Sequence, residues 1–223
     1  MADKRYYGQF CGLAAALDVV GERWTLLIVR ELLLGPARFS EMMENLPGIG
    51  PNLLSERLRA LTEQGVVTSA PVPGDGRGKQ YRLTPLGEQL RGPVLNLARW
   101  GMGFLTEDTV GTSRATWGFL AVQAMIRQSE VPEVDETYEF VVGGEIFHIA
   151  VRDGVAHARR GHGTDPVLVI DTDTDTFIRV GAELLSPFEA LATGKLAISG
   201  DHEAVQRCSR LLGLAERRTR PVG

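Results

Sequence analysis

The side chains with the clearest chemical purpose are polar and cationic, and they cluster between residues 51 and 82. A helix that enters the major groove reads base edges with a few polar side chains, while cations nearby fix its register on phosphates. Over residues 51–64, Leu54, Leu58 and Leu61 recur at helical spacing, which turns Asn52, Ser55, Glu56 and Arg59 outward and leaves Arg57 on a flank. Asn52 and Ser55 suit base edges, because an amide pairs with adenine in a bidentate manner and a hydroxyl either donates or accepts. Arg57 and Arg59 suit guanine or phosphate. Downstream, Arg77, Lys79 and Arg82 stand in a glycine-rich stretch that lets backbone approach a nucleic acid closely. The same spacing also describes an ordinary amphipathic helix with a solvated polar face, so the pattern alone leaves both readings open.

Other reactive residue types are placed less productively. Cys11 and Cys208 stand nearly a whole chain apart, too few and too distant for a disulfide framework or paired zinc ligands. A lone thiol senses oxidants where its pKa is lowered and solvent reaches it, and Lys4 and Arg5 are the basic residues nearest to Cys11 in sequence. The alternative for Cys11 is a small apolar side chain packed at the start of a helix, and Cys208 reads as structural. Asp171, Asp173 and Asp175 alternate like the opening of a calcium loop, but Thr176 and Ala182 occupy the positions that need glycine and glutamate. They are expected to end a strand and cap a helix. His148, His157 and His162 have no carboxylate or cysteine at a ligand spacing. Gly74-Asp75-Gly76-Arg77-Gly78-Lys79 lacks the gap, the hydroxyl residue and the following helix of a phosphate loop. No nucleophile, base and oxyanion set can be assembled, so a non-enzymatic chain without metal or cofactor is expected.

These side chains need a scaffold. Up to about residue 107 the chain reads as helix after helix with one glycine-rich hairpin, whereas from about residue 136 strands come first and then helices; two domains are implied. Leu13, Leu17 and Val20 share one face of a first helix. Leu26, Leu27, Arg30, Leu33 and Leu34 follow in a second that stops at Gly35-Pro36. Ser40 is expected to N-cap a short third helix, with Glu41 in its first turn. Pro51 opens the fourth, where its missing N–H costs nothing. Residues 66–70 and 80–84 read as a β-hairpin with a long tip at 73–79. Three helices and a hairpin in this order predict a winged helix-turn-helix. Thr84-Pro85 then caps a longer helix carrying Leu86, Leu90, Val94, Leu97, Trp100 and Phe104, and a further helix is expected over 112–128. Gly143-Gly144 and Asp153-Gly154 signal tight turns between strands at 138–142, 145–151 and 155–159. A strand at 167–170, helices over 174–180 and 187–193, a strand at 196–199 and a helix over 202–212 complete the pattern.

With 223 residues, 43% hydrophobic and 23% charged, the chain has the composition of one or two globular domains and not of a disordered or fibrous protein. The apolar run at 26–34 is broken by Arg30 and Glu31, the amino terminus has no signal-peptide core, and the two cysteines suit a reducing compartment; a cytoplasmic protein without a membrane span is expected. The net charge of −4 argues against DNA binding for the chain taken whole. Through Asp108, however, 12 basic residues balance 12 acidic ones, and the remainder has 12 against 16, so the negative excess belongs to the second half.

Two stretches resemble known families. The run Cys11-Gly12-Leu13-Ala14-Ala15-Ala16-Leu17-Asp18-Val19-Val20-Gly21-Glu22-Arg23-Trp24-Thr25-Leu26-Leu27-Ile28-Val29-Arg30-Glu31-Leu32 closely resembles the opening of HxlR-type (DUF24-like) bacterial transcriptional regulators. Gly35-Pro36-Ala37-Arg38-Phe39-Ser40-Glu41, Leu46-Pro47-Gly48-Ile49, Leu54-Ser55-Glu56-Arg57-Leu58-Arg59-Ala60-Leu61 and Tyr81-Arg82-Leu83-Thr84-Pro85-Leu86-Gly87 continue the resemblance over about the first hundred residues. It implies a homodimer bound to an inverted-repeat, double-stranded DNA operator, with the outer helices forming the dimer interface. The expected DNA-binding set is Arg38, Ser40, Asn52, Ser55, Arg57, Arg59, Arg77, Lys79 and Arg82. Cys11 matches the family's amino-terminal cysteine, a sensor of oxidants or electrophiles in several members, although Gly12 replaces the usual following proline. Farther on, Asp173-Thr174-Asp175-Thr176-Phe177, Ala190-Leu191-Ala192-Thr193-Gly194-Lys195-Leu196 and Ile198-Ser199-Gly200-Asp201 resemble a sterol carrier protein type two domain. That resemblance implies an apolar tunnel and a small apolar effector; a filled core that merely supports a dimer is the alternative.

The expected architecture is therefore α+β: a winged helix-turn-helix DNA-binding and dimerisation domain over 1–108, a connecting helix and linker over 109–135, and an α/β sterol-carrier-like domain over 136–223. The expected function is a ligand-responsive transcriptional regulator. Its rivals are a thiol-based sensor that uses Cys11, and a lipid carrier whose winged helix is a protein-interaction module.

Overall fold

The computed structural model describes residues 6–72, 75–109, 111 and 113–214, with the backbone alone at 75–77 and 109. The chain divides into two units, Met1–Val94 and Leu95–Gly223.

In the first unit the order is α1 (Gly12–Val20), α2 (Thr25–Leu33), β1 (Ala37–Arg38), α3 (Phe39–Asn45), α4 (Pro51–Glu63), β2 (Val67–Val72), β3 (Asp75–Leu83) and α5 (Pro85–Glu88). The three strands form an antiparallel sheet in the order β1-β3-β2. Ile28, Val29, Met42, Leu46, Leu54, Leu58, Leu61 and Val67 are buried at its centre, and removing each such side chain from water is worth about 1.5–3 kcal/mol. This is a winged helix-turn-helix.

Two local expectations change. Ser40 does not cap α3: the helix already starts at Phe39, Ser40 is exposed within its first turn, and Glu41 instead accepts a hydrogen bond from the backbone N–H of Arg38 at 2.5 Å. The long helix after Thr84 is broken into α5 and α6 (Arg91–Gly101). Pro93 has no N–H and would clash with the carbonyl four residues back, so it fits in the first turn of a new helix and not in the middle of an old one. On α1, Ala14 is the buried residue, while Leu13 and Leu17 face outward.

The second unit holds most of α6, then α7 (Ala115–Met125), β4 (Glu136–Val142), β5 (Glu145–Arg152), β6 (Val155–Arg160), β7 (Leu168–Thr172), α8 (Thr174–Gly181), α9 (Pro187–Ala192), β8 (Leu196–Gly200) and α10 (His202–Leu211). Its sheet runs β6-β5-β4-β7-β8, with β4 and β7 parallel and every other pair antiparallel. Gly143 and Gly144 (φ 54° and 88°) and Asp153 and Gly154 (φ 50° and 72°) make the two tight turns with positive φ at both central residues. Tyr138, Phe140, Val142, Phe147, Ile149, Val151 and Leu168 from the sheet pack with Val122, Met125 and Ile126, and with Ala204, Cys208 and Leu211 of α10. Thus α7 is part of this core and not a connecting rod. The side chain of Arg99 on α6 donates to the carbonyls of Ala124 and Ile126 within the same unit.

A buried polar knot adjoins this core. The Glu136 carboxylate, 2% exposed, takes Nε and Nη2 of Arg207 at 2.7 Å each and also accepts from the Tyr138 hydroxyl. Asp173 N-caps α8, accepting from Thr176 N at 2.9 Å, as expected of a strand-end aspartate. No helix among the described residues is long and apolar enough to cross a membrane.

Candidate nucleic-acid interface

The geometry of α4 follows from its two ends. Gly50 is extended at the N-cap, Pro51 sits at the first helical position, and Gly65 at φ 70° lets the chain leave. Between them Leu54, Leu58 and Leu61 are buried, so Asn52, Ser55 and Arg59 are exposed together on the opposite side. The wing begins where α4 ends. The Thr84 hydroxyl donates to the carbonyl of Gly65 at 2.5 Å and accepts from Gly87 N at 3.1 Å, so one side chain caps α5 and ties the base of the wing to the end of α4. Gly87 is forced by the same junction, because an added Cβ would lie 2.1 Å from the Val66 carbonyl oxygen. Thr84 was legible as a helix cap; nothing in its spacing pointed to Gly65.

The expected DNA-contacting residues do not form one homogeneous group. Arg57 is 14% exposed and is engaged at both ends of its guanidinium, with Glu22 at 3.0 Å and Glu56 at 2.9 Å, and it also donates to the Arg23 carbonyl at 3.3 Å. It fastens α4 to the link between α1 and α2. Its partner Glu22 lies far away in sequence, and no local signal announces the pair. Arg59, two residues on, is 75% exposed, with Glu63 at 3.9 Å. Arg38 is half-buried in β1 and Ser40 exposed on α3. Lys79 and Arg82 are both exposed, but strand alternation puts Lys79 on the face of Tyr81 and Leu83 and Arg82 on the face of Gln80. Hence the wing's cations flank the hairpin on two sides. The side chain of Arg77 lies outside the described residues, as do the hairpin tip at 73–74 and Lys4 and Arg5.

Cys11 is not packed. It is exposed at the N-cap of α1, where the backbone N–H groups of Ala14 and Leu13 favour the thiolate and hold its pKa below the usual thiol range. Cys208 is buried, and that burial, with a smaller contribution from Glu136, pushes its thiol up. In the second unit the apolar interior contains four phenylalanines: Phe140 stacks on Phe147 at 5.4 Å, Phe177 meets both edge-on, and Phe119 lies 5.9 Å from Phe147. Phe119 and Phe177 are partly exposed. His162 joins the buried Glu139 carboxylate at 3.2 Å, a pairing that anchors the 161–163 loop together with the Gly163 N–H.

Two family models match the chain: the HxlR-like helix-turn-helix over residues 19–109 and the SCP-2 sterol transfer family over residues 121–213. A helix-turn-helix-type transcriptional regulator of Mycobacterium tuberculosis is 43% identical over 45% of this chain, and the chain spans 62% of the length of that relative. The regulator YvaP of Bacillus subtilis is 38% identical over 38% of this chain and 79% of its own. The regulator YodB of B. subtilis is 32% identical over 44% of this chain and 88% of its own. Its quinone-bound crystal structure matches 40% of this chain and 93% of that one at a TM-score of 0.35. With these relatives and its winged helix, the chain belongs to the HxlR-like helix-turn-helix family of transcriptional regulators and carries an SCP-2 sterol transfer family region behind that domain.

Proposed function

We propose that the protein is a homodimeric regulator that places α4 of each subunit in the major groove of an inverted-repeat operator and answers to a small apolar ligand held by its second unit. The observation that carries the reading is the exposed row Asn52, Ser55 and Arg59 opposite the buried Leu54, Leu58 and Leu61, with two acidic neighbours on that side, Glu56 paired with Arg57 and Glu63 3.9 Å from Arg59. Exposed apolar side chains support the dimer: Phe10, Leu13 and Leu17 at the amino-terminal end, and Leu97, Trp100 and Phe104 on α6 and the turn after it. Such faces call for a covering subunit. Half-sites about 34 Å apart are expected for two recognition helices on one side of a duplex. The partly exposed phenylalanine cluster is where an apolar effector would seat, and it can change DNA occupancy only by binding one arrangement of the dimer better than another.

The test is fluorescence anisotropy with a fragment of the gene's own promoter. Arg59→Ala combined with Lys79→Ala should abolish binding; undiminished binding would leave the winged helix as a protein-interaction module. Native mass spectrometry of freshly purified protein reads the dimer and any retained apolar molecule. A second reading rests on Cys11, exposed and acidified at the start of α1. A mild oxidant should then release the operator from the native protein and not from Cys11→Ser.

A further inference from the structure

The two edges of the five-stranded sheet are treated differently. On β6 the side-chain amide of Gln128 pairs with Ala156, donating to its carbonyl at 3.0 Å and accepting from its N–H at 3.5 Å, so it imitates a neighbouring strand. Arg159, Arg160 and His157 add charge and bulk along the same strand, and such features discourage edge-to-edge pairing. The edge at β8 has none of them. Its residues are Leu196, Ala197, Ile198, Ser199 and Gly200, without charge or proline.

The direction of its free groups is set by β7. Asp201 N donates to Val167 O at 2.9 Å, and the antiparallel register carries that hydrogen-bonded alternation to Ser199 opposite Val169 and Ala197 opposite Asp171. Leu196 and Ile198 therefore turn their backbone N–H and C=O groups away from the sheet, and Gly200 at φ 121° ends the extended run. On an exposed edge such a row of groups is a template for pairing with another strand. Ala197, Ser199 and Gly200 are exposed, and Ile198 is half-exposed.

We propose that β8 pairs antiparallel with β8 of a second copy of this chain, joining two five-stranded sheets into one. The strand is self-complementary about Ile198. In the register centred there, Ile198 exchanges two backbone hydrogen bonds with Ile198 of the partner subunit, and Leu196 faces Gly200 of the partner subunit, where the backbone leaves the extended form at φ 121°. The flanking charges agree with that register. Lys195, exposed and without a carboxylate partner among the described residues, stands as far before Ile198 as Asp201 stands after it, and the two-fold axis brings Lys195 opposite Asp201 of the partner subunit, adding a second cation to a carboxylate that within its own chain takes Arg207 Nη2 at 3.1 Å and caps α10. Shifting the register by two residues would forfeit this ionic match. A two-fold interface of this kind is isologous, with the same strand contributed by each subunit.

The test uses disulfide trapping in the full chain with Cys11→Ser. Ala197 would lie opposite Ser199 of the partner subunit as a non-hydrogen-bonded pair, whose Cα separation of about 4.5 Å suits a disulfide. Differently tagged Ala197→Cys and Ser199→Cys chains are co-expressed and equilibrated in a glutathione buffer. A disulfide-linked dimer containing both tags should form, be absent when either chain is expressed alone, and be lost when Lys195→Glu is added to both. The proposal is overturned if the co-expressed chains link no more than the separate ones, or if Ala197→Cys links equally to a His157→Cys chain on the blunted edge. A strand that serves instead to hold an extended segment of another protein would leave the purified mixture unlinked, and that outcome overturns the pairing equally.

Discussion

Arg57 and Arg59 stand two residues apart on one helix and should fail in opposite ways. Arg57→Ala removes two ion pairs whose carboxylates are largely exposed, Glu22 at 72% and Glu56 at 55%, and exposed pairs of this kind contribute about 0.2–1 kcal/mol each. It also removes the hydrogen bond to the Arg23 carbonyl and the packing of the aliphatic stem, together about 1 kcal/mol. Because the pairs share one guanidinium and are not additive, a loss of about 1–2 kcal/mol is expected. Urea unfolding followed by tryptophan fluorescence reads this as a lower midpoint with an unchanged slope. Arg59→Ala should leave the midpoint alone, within the ~0.5 kcal/mol typical of surface positions. Its effect is on DNA: the slope of log affinity against log salt should fall by about 0.9, the amount for one lost phosphate contact. If Arg57→Ala keeps its stability and instead lowers the salt slope, Arg57 is a phosphate ligand and its role as a fastener is refuted.

Gly87→Ala drives a Cβ to 2.1 Å from a backbone carbonyl that cannot retreat without unseating the wing; a loss of about 1–3 kcal/mol in urea unfolding is expected, as for overpacking. Glu136→Ala strands the Arg207 guanidinium and the Tyr138 hydroxyl, and because Arg207 keeps Asp201 and Glu203 the cost should fall at the lower end of ~3–5 kcal/mol, read by calorimetry. Alkylation separates the two thiols. The thiolate fraction rises with pH, so a lowered pKa makes Cys11 react with iodoacetamide faster at neutral pH than free cysteine does, with its rate midpoint displaced to lower pH. Cys208, buried and pushed up, should stay unmodified until the protein unfolds.

Local signals in the sequence carried most of the architecture. The paired residues Gly143-Gly144 and Asp153-Gly154 specify turns with positive φ, and the spacing of Leu54, Leu58 and Leu61 specifies which side of α4 is buried; both were legible because backbone sterics and helical periodicity act within a few residues. What could not be read was non-local. The parallel pairing of β4 with β7 depends on a crossover, and the engagement of Arg57 depends on Glu22 from another helix. The break before α6 was readable in Pro93 but masked by the apolar stripe that runs through it. Ser40 misled for a related reason: it has the chemistry of a cap, but the residue before α3 is Arg38, whose N–H is already served by Glu41.

The single hydroxyl of Thr84 that joins the end of α4 to the root of the wing bears on how such a regulator changes its target over evolutionary time. Since the junction rests on backbone groups of Gly65, Val66 and Gly87 and on one threonine, Asn52 and Ser55 are free to vary without disturbing the scaffold that presents them. On the proposed function, new operator preferences can arise by substitutions at positions 52 and 55, with the residues proposed to read DNA and their support inherited as separate, independently mutable parts.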